Sequence, residues 1–502
     1  MATGSTAASR ETSSSGKLWQ RFFQPVDIAS LVFFRIAFGC ILLYEVISSW
    51  TSGRVYRDWV EPTFHFGYDF FDWVKPWPGA GMYIHWTALG LLAALIALGC
   101  FYRVAMALFC AGFTYVFLLE ESRYLNHFYF ICLVSLVMVF VPAHRAFSVD
   151  ARRRPEIRSD TAPAWALWIL CFLMGAVYFF GGIAKLNGDW LRGEPMRFWL
   201  AMRTDYPVLS ALCEEEWMVY LFSYGGLLLD LLIVPLLLWR RTRLFAFVWA
   251  TSFHLLNKWL LGVGIFPWFS IAATLLFFPP DWPRRVRARL FAKGESMPET
   301  EVPSTSLAPL VFGTREKATL WLLGIFVAIQ ILLPFRKHLY PGNANWTEQG
   351  HNFAWHMKLR DKRATAEFTI HEPATGRSWP VDLKSRLTGR QIDKMSIRPH
   401  MIRKFARHLA RERERAGHGK VEVRARVLCS LNGRPPQLFI DPDIDLASVR
   451  PSWGAASWIL PLTEPLPPPA VTRRQAAWMR GDLKQGSVPK SERPLLMRLE
   501  GD

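Results

Sequence analysis

Apolar runs dominate this chain and fix its surroundings before any motif is considered. A window of about 19 residues finds roughly nine stretches long enough, or nearly so, to cross a bilayer. They cover 29–49, 83–101, 104–119, 124–142, 164–185, 217–239, 243–261, 263–279 and 317–334. Backbone N–H and C=O groups in lipid find no water to bond, so such runs fold as helices. The expected fold class is mainly α, a polytopic membrane protein with about nine transmembrane helices followed by a small exterior α/β domain. The third run is short, and the seventh and eighth join tightly through Gly262 and Gly264, which makes these the candidates for re-entrant segments. With 51% apolar residues, 23 Trp, 37 Phe and a net charge of +18 over 502 residues, the composition excludes one soluble domain and fits several spans plus a basic remainder.

Lys and Arg cluster in alternate short loops, as the positive-inside rule requires. Arg21, Arg103, Arg152, Arg153, Arg154, Arg240, Arg241, Arg284 and Arg285 fall on one side; Glu120, Glu121 and Glu214 to Glu216 fall on the other. Residues 1–17 are rich in Ser, Thr and Gly and have no apolar leader, so the first span is read as an uncleaved insertion signal. The expected organisation is a disordered cytoplasmic tail (1–24), a transmembrane helical domain (25–335), a periplasmic or lumenal α/β domain (336–460) and a proline-rich basic tail (461–502) on which no structure is forced. In the α/β part, 364–370 and 379–383 read as strands joined by a Glu372-Pro-Ala-Thr-Gly376 turn. Residues 401–416 read as a charged helix with an apolar stripe at Met401, Ile402, Phe405 and Leu409. A strand over 421–427 turns at Asn432-Gly433 into Leu438-Phe-Ile440.

Five of the seven cysteines lie inside apolar runs, where thiols behave as small hydrophobes; Cys213 and Cys429 are the one pair left open. No zinc-type spacing occurs, and no structural metal is expected. Ionisable groups within spans are costly and therefore mark candidate sites. Lys185 ends the fifth run behind Gly181-Gly182, a pair small enough to let another backbone approach. Two readings are open: its ammonium snorkels to the interface, or an amine kept from water gives up its proton readily and serves as a base. Asn126 and His127 open the fourth run, His254, Asn257 and Lys258 share one face of the seventh, and Phe266 begins the eighth, all toward the outer side. Each has a plain alternative as a helix-to-helix hydrogen bond. Arg35 and Asp230 read as a structural pair or as separate backbone anchors. Convergence of the others at one depth favours a site.

These motifs resemble the vitamin K-dependent γ-glutamyl carboxylase family. The resemblance rests on Tyr124-Leu-Asn-His-Phe-Tyr129, Gly182-Ile-Ala-Lys-Leu-Asn-Gly-Asp-Trp190, Gly225-Gly-Leu-Leu-Leu-Asp230, Phe253-His-Leu-Leu-Asn257, Pro280-Asp-Trp-Pro-Arg284, Asn345-Trp-Thr347, Phe353-Ala-Trp-His-Met357 and Asp441-Pro442, in order over most of 25–460. It implies an enzyme that couples oxygenation of vitamin K hydroquinone to carboxylation of peptide glutamate, with O2 and CO2 as co-substrates. It further implies Lys185 as initiating base, with Asn126 and His127 stabilising charge. Trp355 and Met357 resemble the residues that cap the quinone pocket, with Phe266 on its membrane wall. His254 and Asn257 are expected to join them, and Arg360, Lys362 and His351 to bind substrate. Lys358 and His351 depart from the animal enzyme, which has methionine and an aromatic there. The loop 51–82 lacks that enzyme's cysteine, and the chain ends at Asp502 without its long lumenal extension, which leans toward a bacterial homologue. The expected partners are a glutamate-containing exported polypeptide and membrane lipid, and no nucleic acid. A quinone epoxidase without a protein substrate, and a transporter or scaffold, are the rival readings.

Overall fold

A computed structural model describes residues 14–203, 207–291 and 313–482. The expectations for 1–13 and 483–502 lie outside the described residues. Helices stand at each apolar run: α1 (Ala29–Thr51), α2 (Gly81–Leu98), α3 (Tyr102–Leu119), α4 (Asn126–Phe140), α5 (Ala164–Lys185), α6 (Glu216–Leu238), α7 (Arg243–Leu261), α8 (Phe266–Thr274) and α9 (Thr314–Phe335). Among the described residues six of them, α1, α2, α3, α5, α6 and α9, are long and apolar enough to cross a membrane. The expected nine spans are therefore not established. A 3-10 turn over Glu121–Arg123 delays the start of α4, leaving it 15 residues, and the Gly262 to Gly264 link leaves α8 only 9. At 1.5 Å per residue neither reaches across a ~30 Å hydrocarbon core. Helix α7 is 19 residues long but carries Arg243, His254, Asn257 and Lys258.

Packing in the bundle follows from small residues and rings. A Cβ on Gly39 of α1 would lie 2.6 Å from Ala97 N, and one on Gly182 of α5 would lie 2.6 Å from the Leu231 side chain of α6, so glycine alone permits both approaches. Phe269 of α8 sits between Phe38 of α1 and Phe130 of α4, with ring centroids 5.2 and 4.8 Å away. Arg35 is buried but bonds carbonyls, donating to Ala143 O at 3.1 Å and Phe147 O at 2.7 Å. The possible Arg35–Asp230 pair is thus corrected: Arg35 anchors backbone, and Asp230 meets a different cation. Asp27, before α1, pairs at 3.0 Å with Arg284 of the Pro-Asp-Trp-Pro-Arg motif, which ties the two ends of this region together.

The C-terminal sheet orders its strands β2-β1-β3-β4, where β1 is Lys362–Glu372, β2 Arg377–Pro380, β3 Glu422–Leu431 and β4 Gln437–Leu438, all antiparallel. Alternation puts Phe368 and Ile370 of β1 with Val423, Ala425 and Val427 of β3 on one buried face. Helices α10 (Gly389–Ser396) and α11 (Pro399–Arg415) cover that face, α11 with its Met401, Ile402, Phe405 and Leu409 stripe fully buried. Cys213 and Cys429 are free thiols. The region after 460 contains a further helix, α12 (Pro469–Met479), where no structure was expected: Pro469 suits the first turn, and Ala476 buries against Phe198 and Ala201 of the short Met196–Ala201 helix.

The sheet region docks on the helices through two buried carboxylates of the α3–α4 loop. Glu121 accepts from His400 Nε2 at 2.6 Å, Lys404 Nζ at 3.0 Å and Asn352 Nδ2 at 3.0 Å, while Glu120 accepts from Gln391 Nε2 at 3.0 Å. Burial alone would raise the Glu121 carboxyl, but His400, Lys404 and Arg398 outweigh it and hold it well below the ordinary value. A carboxyl depressed in the folded state stabilises above its unfolded pKa of about 4.3 and loses that contribution as pH falls further. Acidification below about pH 4 is therefore expected to release the sheet region, read as protease cleavage in 336–360. Glu121→Gln is expected to flatten this dependence, and identical pH profiles for both proteins would count against the dock.

Candidate active site

The segment that carries Lys185 is built by its own polar residues. Asn187 donates from Nδ2 to Ala184 O at 2.9 Å, closing the end of α5, and accepts from Trp190 N at 3.1 Å, opening the short Gly188–Leu191 helix. Asp189 accepts both guanidinium nitrogens of Arg434 at 2.7 Å and Asn432 Nδ2 at 2.7 Å, fixing the loop to the Asn432-Gly433 turn of the sheet region. Trp190 donates from Nε1 to Ser223 O of α6 at 2.9 Å. Lys185 is thereby pinned on three sides, and it is buried. Its Nζ forms an ion pair with Asp230 of α6, lies 3.4 Å from Gly181 O and sits 5.4 Å from the Trp190 ring centroid. The side chain turns inward, and the snorkelling alternative does not apply.

Beside this pair stands an aromatic wall. His127 of α4 stacks on Phe266 of α8 at 6.0 Å, and His254 of α7 meets the same ring edge-on at 5.9 Å. His254 is held by Tyr178 Oη at 2.7 Å, one further residue of α5 on the Lys185 side, and Tyr178 reaches Thr274 Oγ1 at 3.3 Å. Asn257 lies half-buried one turn beyond His254.

A strap over 345–359 closes the space from above. Its Phe353, Trp355 and Lys358 have φ of 62°, 59° and 48°, left-handed values that cost non-glycine residues about 1–3 kcal/mol each and persist only where contacts impose them. The imposing contacts come from α4 and the turn before it: Tyr124 Oη accepts from Phe353 N at 2.7 Å, and Asn126 Nδ2 donates to His356 O at 2.9 Å. Trp355 is buried against Tyr129 and Phe130, at 5.2 and 5.9 Å between centroids, and its Nε1 has no partner among the described residues. His356 Nδ1 is likewise buried and unpartnered, and burial, with Lys337 nearby, lowers this imidazole to about 3, so it stays neutral. Met357 completes the link: a Cβ on Gly181 would lie 3.4 Å from Met357 Cε and 3.0 Å from Asp230 Oδ2. His356 is therefore bonded to Asn126, while Met357 lies against Gly181, the residue that Asp230 also approaches.

The residues expected to bind substrate form a separate group around buried Glu348. Arg360 donates to Glu348 Oε2 and to His351 Nε2, both at 2.5 Å, and Lys362 Nζ donates to Glu348 Oε1 at 3.1 Å, Trp346 O at 2.5 Å and Ile397 O at 2.9 Å. One of their two positive charges is met within the chain: burial alone would raise Glu348, yet Arg360 and Lys362 hold it below its ordinary value. Burial, with Arg360 beside it, keeps His351 neutral. A groove of about 460 Å³ on the outer side of α3 and α4, lined by Trp73, Ala107, Ala111, Tyr115, Leu136 and Phe140, includes none of the predicted site residues.

Sequence reasoning missed Asp230 as the partner of Lys185 and Tyr178 as the partner of His254. A carboxylate inside an apolar helix was the signal available for the first.

A helical membrane region that encloses a lysine–carboxylate pair beneath an aromatic strap defines the class, and the comparisons name the family. Residues 23–282 match the HTTM domain, and residues 315–465 match the vitamin K-dependent gamma-carboxylase lumenal domain. The chain belongs to the vitamin K-dependent gamma-carboxylase family. No solved structure matches it.

Proposed function

We propose that this protein is a γ-glutamyl carboxylase that couples oxygenation of vitamin K hydroquinone to its epoxide with carboxylation of peptide glutamate to γ-carboxyglutamate. The observation that carries this reading is the buried Lys185 amine on the same helix as Tyr178, whose hydroxyl holds His254 of the aromatic wall. The residues suit a flat apolar ring bearing two oxygens. Phe266, His127 and His254 offer ring faces and edges, and Trp355 Nε1 and His356 Nδ1 are buried polar atoms still lacking partners. When bound, the hydroquinone supplies the electrons for dioxygen and the driving force for removing the glutamate γ-proton.

The chain's own part is positional and protonic. Lys185 takes the hydroquinone proton in a site from which packing excludes water, and the ring of His127, stacked on Phe266, lines the charge-bearing side. Trp355 Nε1 donates toward an oxygen, and Met357 fills the gap between ring and amine. Asn126 holds the strap through His356 O, which sets the height of Trp355 and Met357. Asn257 borders the same space. Arg360 and Lys362 share the one carboxylate of Glu348 and so keep one net positive charge beneath the substrate-facing side with His351, while exposed Arg411 adds positive charge toward a glutamate-rich chain. We assign the N-terminus to the cytoplasm and 336–460 to the periplasm or lumen, where an exported substrate would meet it, from the alternation of Lys and Arg between loops, a reading that requires α4, α7 and α8 to count as crossings beside the six long helices.

Purified protein given reduced vitamin K, labelled bicarbonate and a short glutamate peptide is expected to form epoxide and labelled γ-carboxyglutamate together. Epoxide without fixed label would select the epoxidase reading, and untouched hydroquinone would remove both.

A further inference from the structure

An amine paired with a carboxylate is an ammonium, and an ammonium accepts no proton. The initiating base therefore has to involve both partners. Lys185 is the ion-pair partner of Asp230 among the described residues, and both side chains are nearly closed to solvent at 7% and 5% exposure. The groups around them are Gly181 O, the Trp190 ring, Met357 Cε beside Gly181 and, two turns back along α5, Tyr178, which already bonds His254 and Thr274. None of these takes a proton from an ammonium more readily than the carboxylate in contact with it. Gly181 and Gly182 bring α6 close enough for that contact, since a Cβ on Gly181 would crowd Asp230 Oδ2 at 3.0 Å.

We infer that Asp230 is the positioning residue of the base and the final holder of the proton, with Lys185 as the relay. This rests on the carboxylase reading given above. In the resting pair Lys185 carries three N–H bonds and Asp230 is a carboxylate. One N–H bond of Lys185 breaks as an O–H bond forms on Asp230, leaving a neutral amine beside a carboxylic acid. The amine lone pair then takes the hydroquinone hydroxyl proton, whose O–H bond breaks as a new N–H bond forms. The result is an ammonium, a carboxylic acid and a hydroquinone anion, so net charge is unchanged across the step. The carboxylic acid returns its proton to water as product leaves.

Two variants and two readouts test this. Asp230→Asn keeps the size but takes no proton: the kcat for epoxide formation is expected to fall at least about 100-fold with KM for hydroquinone within about threefold, the pattern of a group acting only in the chemical step. Asp230→Glu keeps the carboxylate and is expected to recover activity to within about tenfold of wild type. In protein free of hydroquinone, Lys185 is expected to resist a small lipid-soluble amine reagent in wild type and in Asp230→Glu, and to be modified at least about tenfold faster in Asp230→Asn, followed by mass spectrometry. Near-wild-type kcat in Asp230→Asn, or equal labelling in all three proteins, would overturn the inference. If wild type itself forms no epoxide, the carboxylase reading fails while labelling still reports on the pair.

Discussion

Lys185→Ala is expected to abolish epoxide formation and at the same time to weaken the fold by about 3–5 kcal/mol, because it strands a carboxylate in a site closed to water. The loss of activity alone would then be ambiguous. Replacing both partners resolves it: Lys185→Met with Asp230→Leu removes both charges and fills similar volume, which in buried pairs is often neutral or stabilising by about 1–4 kcal/mol. The double variant is expected to melt at or above the wild-type temperature and still make no epoxide. Melting curves for wild type, both single variants and the double variant form a cycle whose interaction term measures the pair directly. An active double variant would dismiss Lys185 from the chemistry, and additive single effects would show that the two charges do not sense each other.

The second large effect is expected at the junction between the sheet region and the helices. Asp189 and Arg434 are 12% and 8% exposed and share two 2.7 Å bonds. Asp189→Ala leaves the Arg434 guanidinium buried without its partner and is expected to cost about 3–5 kcal/mol. Because Asp189 stands four residues after Lys185, the loosened loop should also release the amine from its place beneath the strap. Hydrogen exchange is expected to speed up at 186–191 and 428–434 together, with a drop in kcat, whereas Asp189→Asn keeps one acceptor oxygen toward Arg434 and should lose less. Exchange confined to one of the two segments would mean that they are not coupled.

The elements that sequence made legible are those governed by local chemistry. Apolar runs mark the helices, the Asn432-Gly433 turn ends β3, the Met401 to Leu409 stripe faces the core, and the Gly181-Gly182 pair does admit a neighbouring helix. Distances from the ends of apolar runs were a poor guide to depth. Lys185 closes its helix whereas Asp230 lies in the middle of a 23-residue one, so the two looked separated; α6 instead extends outward past the end of α5, with Ser223 reaching Trp190. Only the packing register, Gly182 against Leu231, brings them level. Charge is the other quantity that sequence misjudged. Arg360 and Lys362 look free to greet an acidic partner until Glu348 is found between them, and Glu120 and Glu121 look like a loop facing water until α10 and α11 close over them.

The left-handed residues of the strap have one more implication. Glycine would adopt those angles without cost, yet Phe353, Trp355 and Lys358 stand there, so the shape is imposed from outside by Tyr124, Asn126 and the rings beneath. The pocket is for that reason a product of assembly: 336–460 made on its own would lose its ceiling, and the chemistry would come into being only when the two halves of the polypeptide meet.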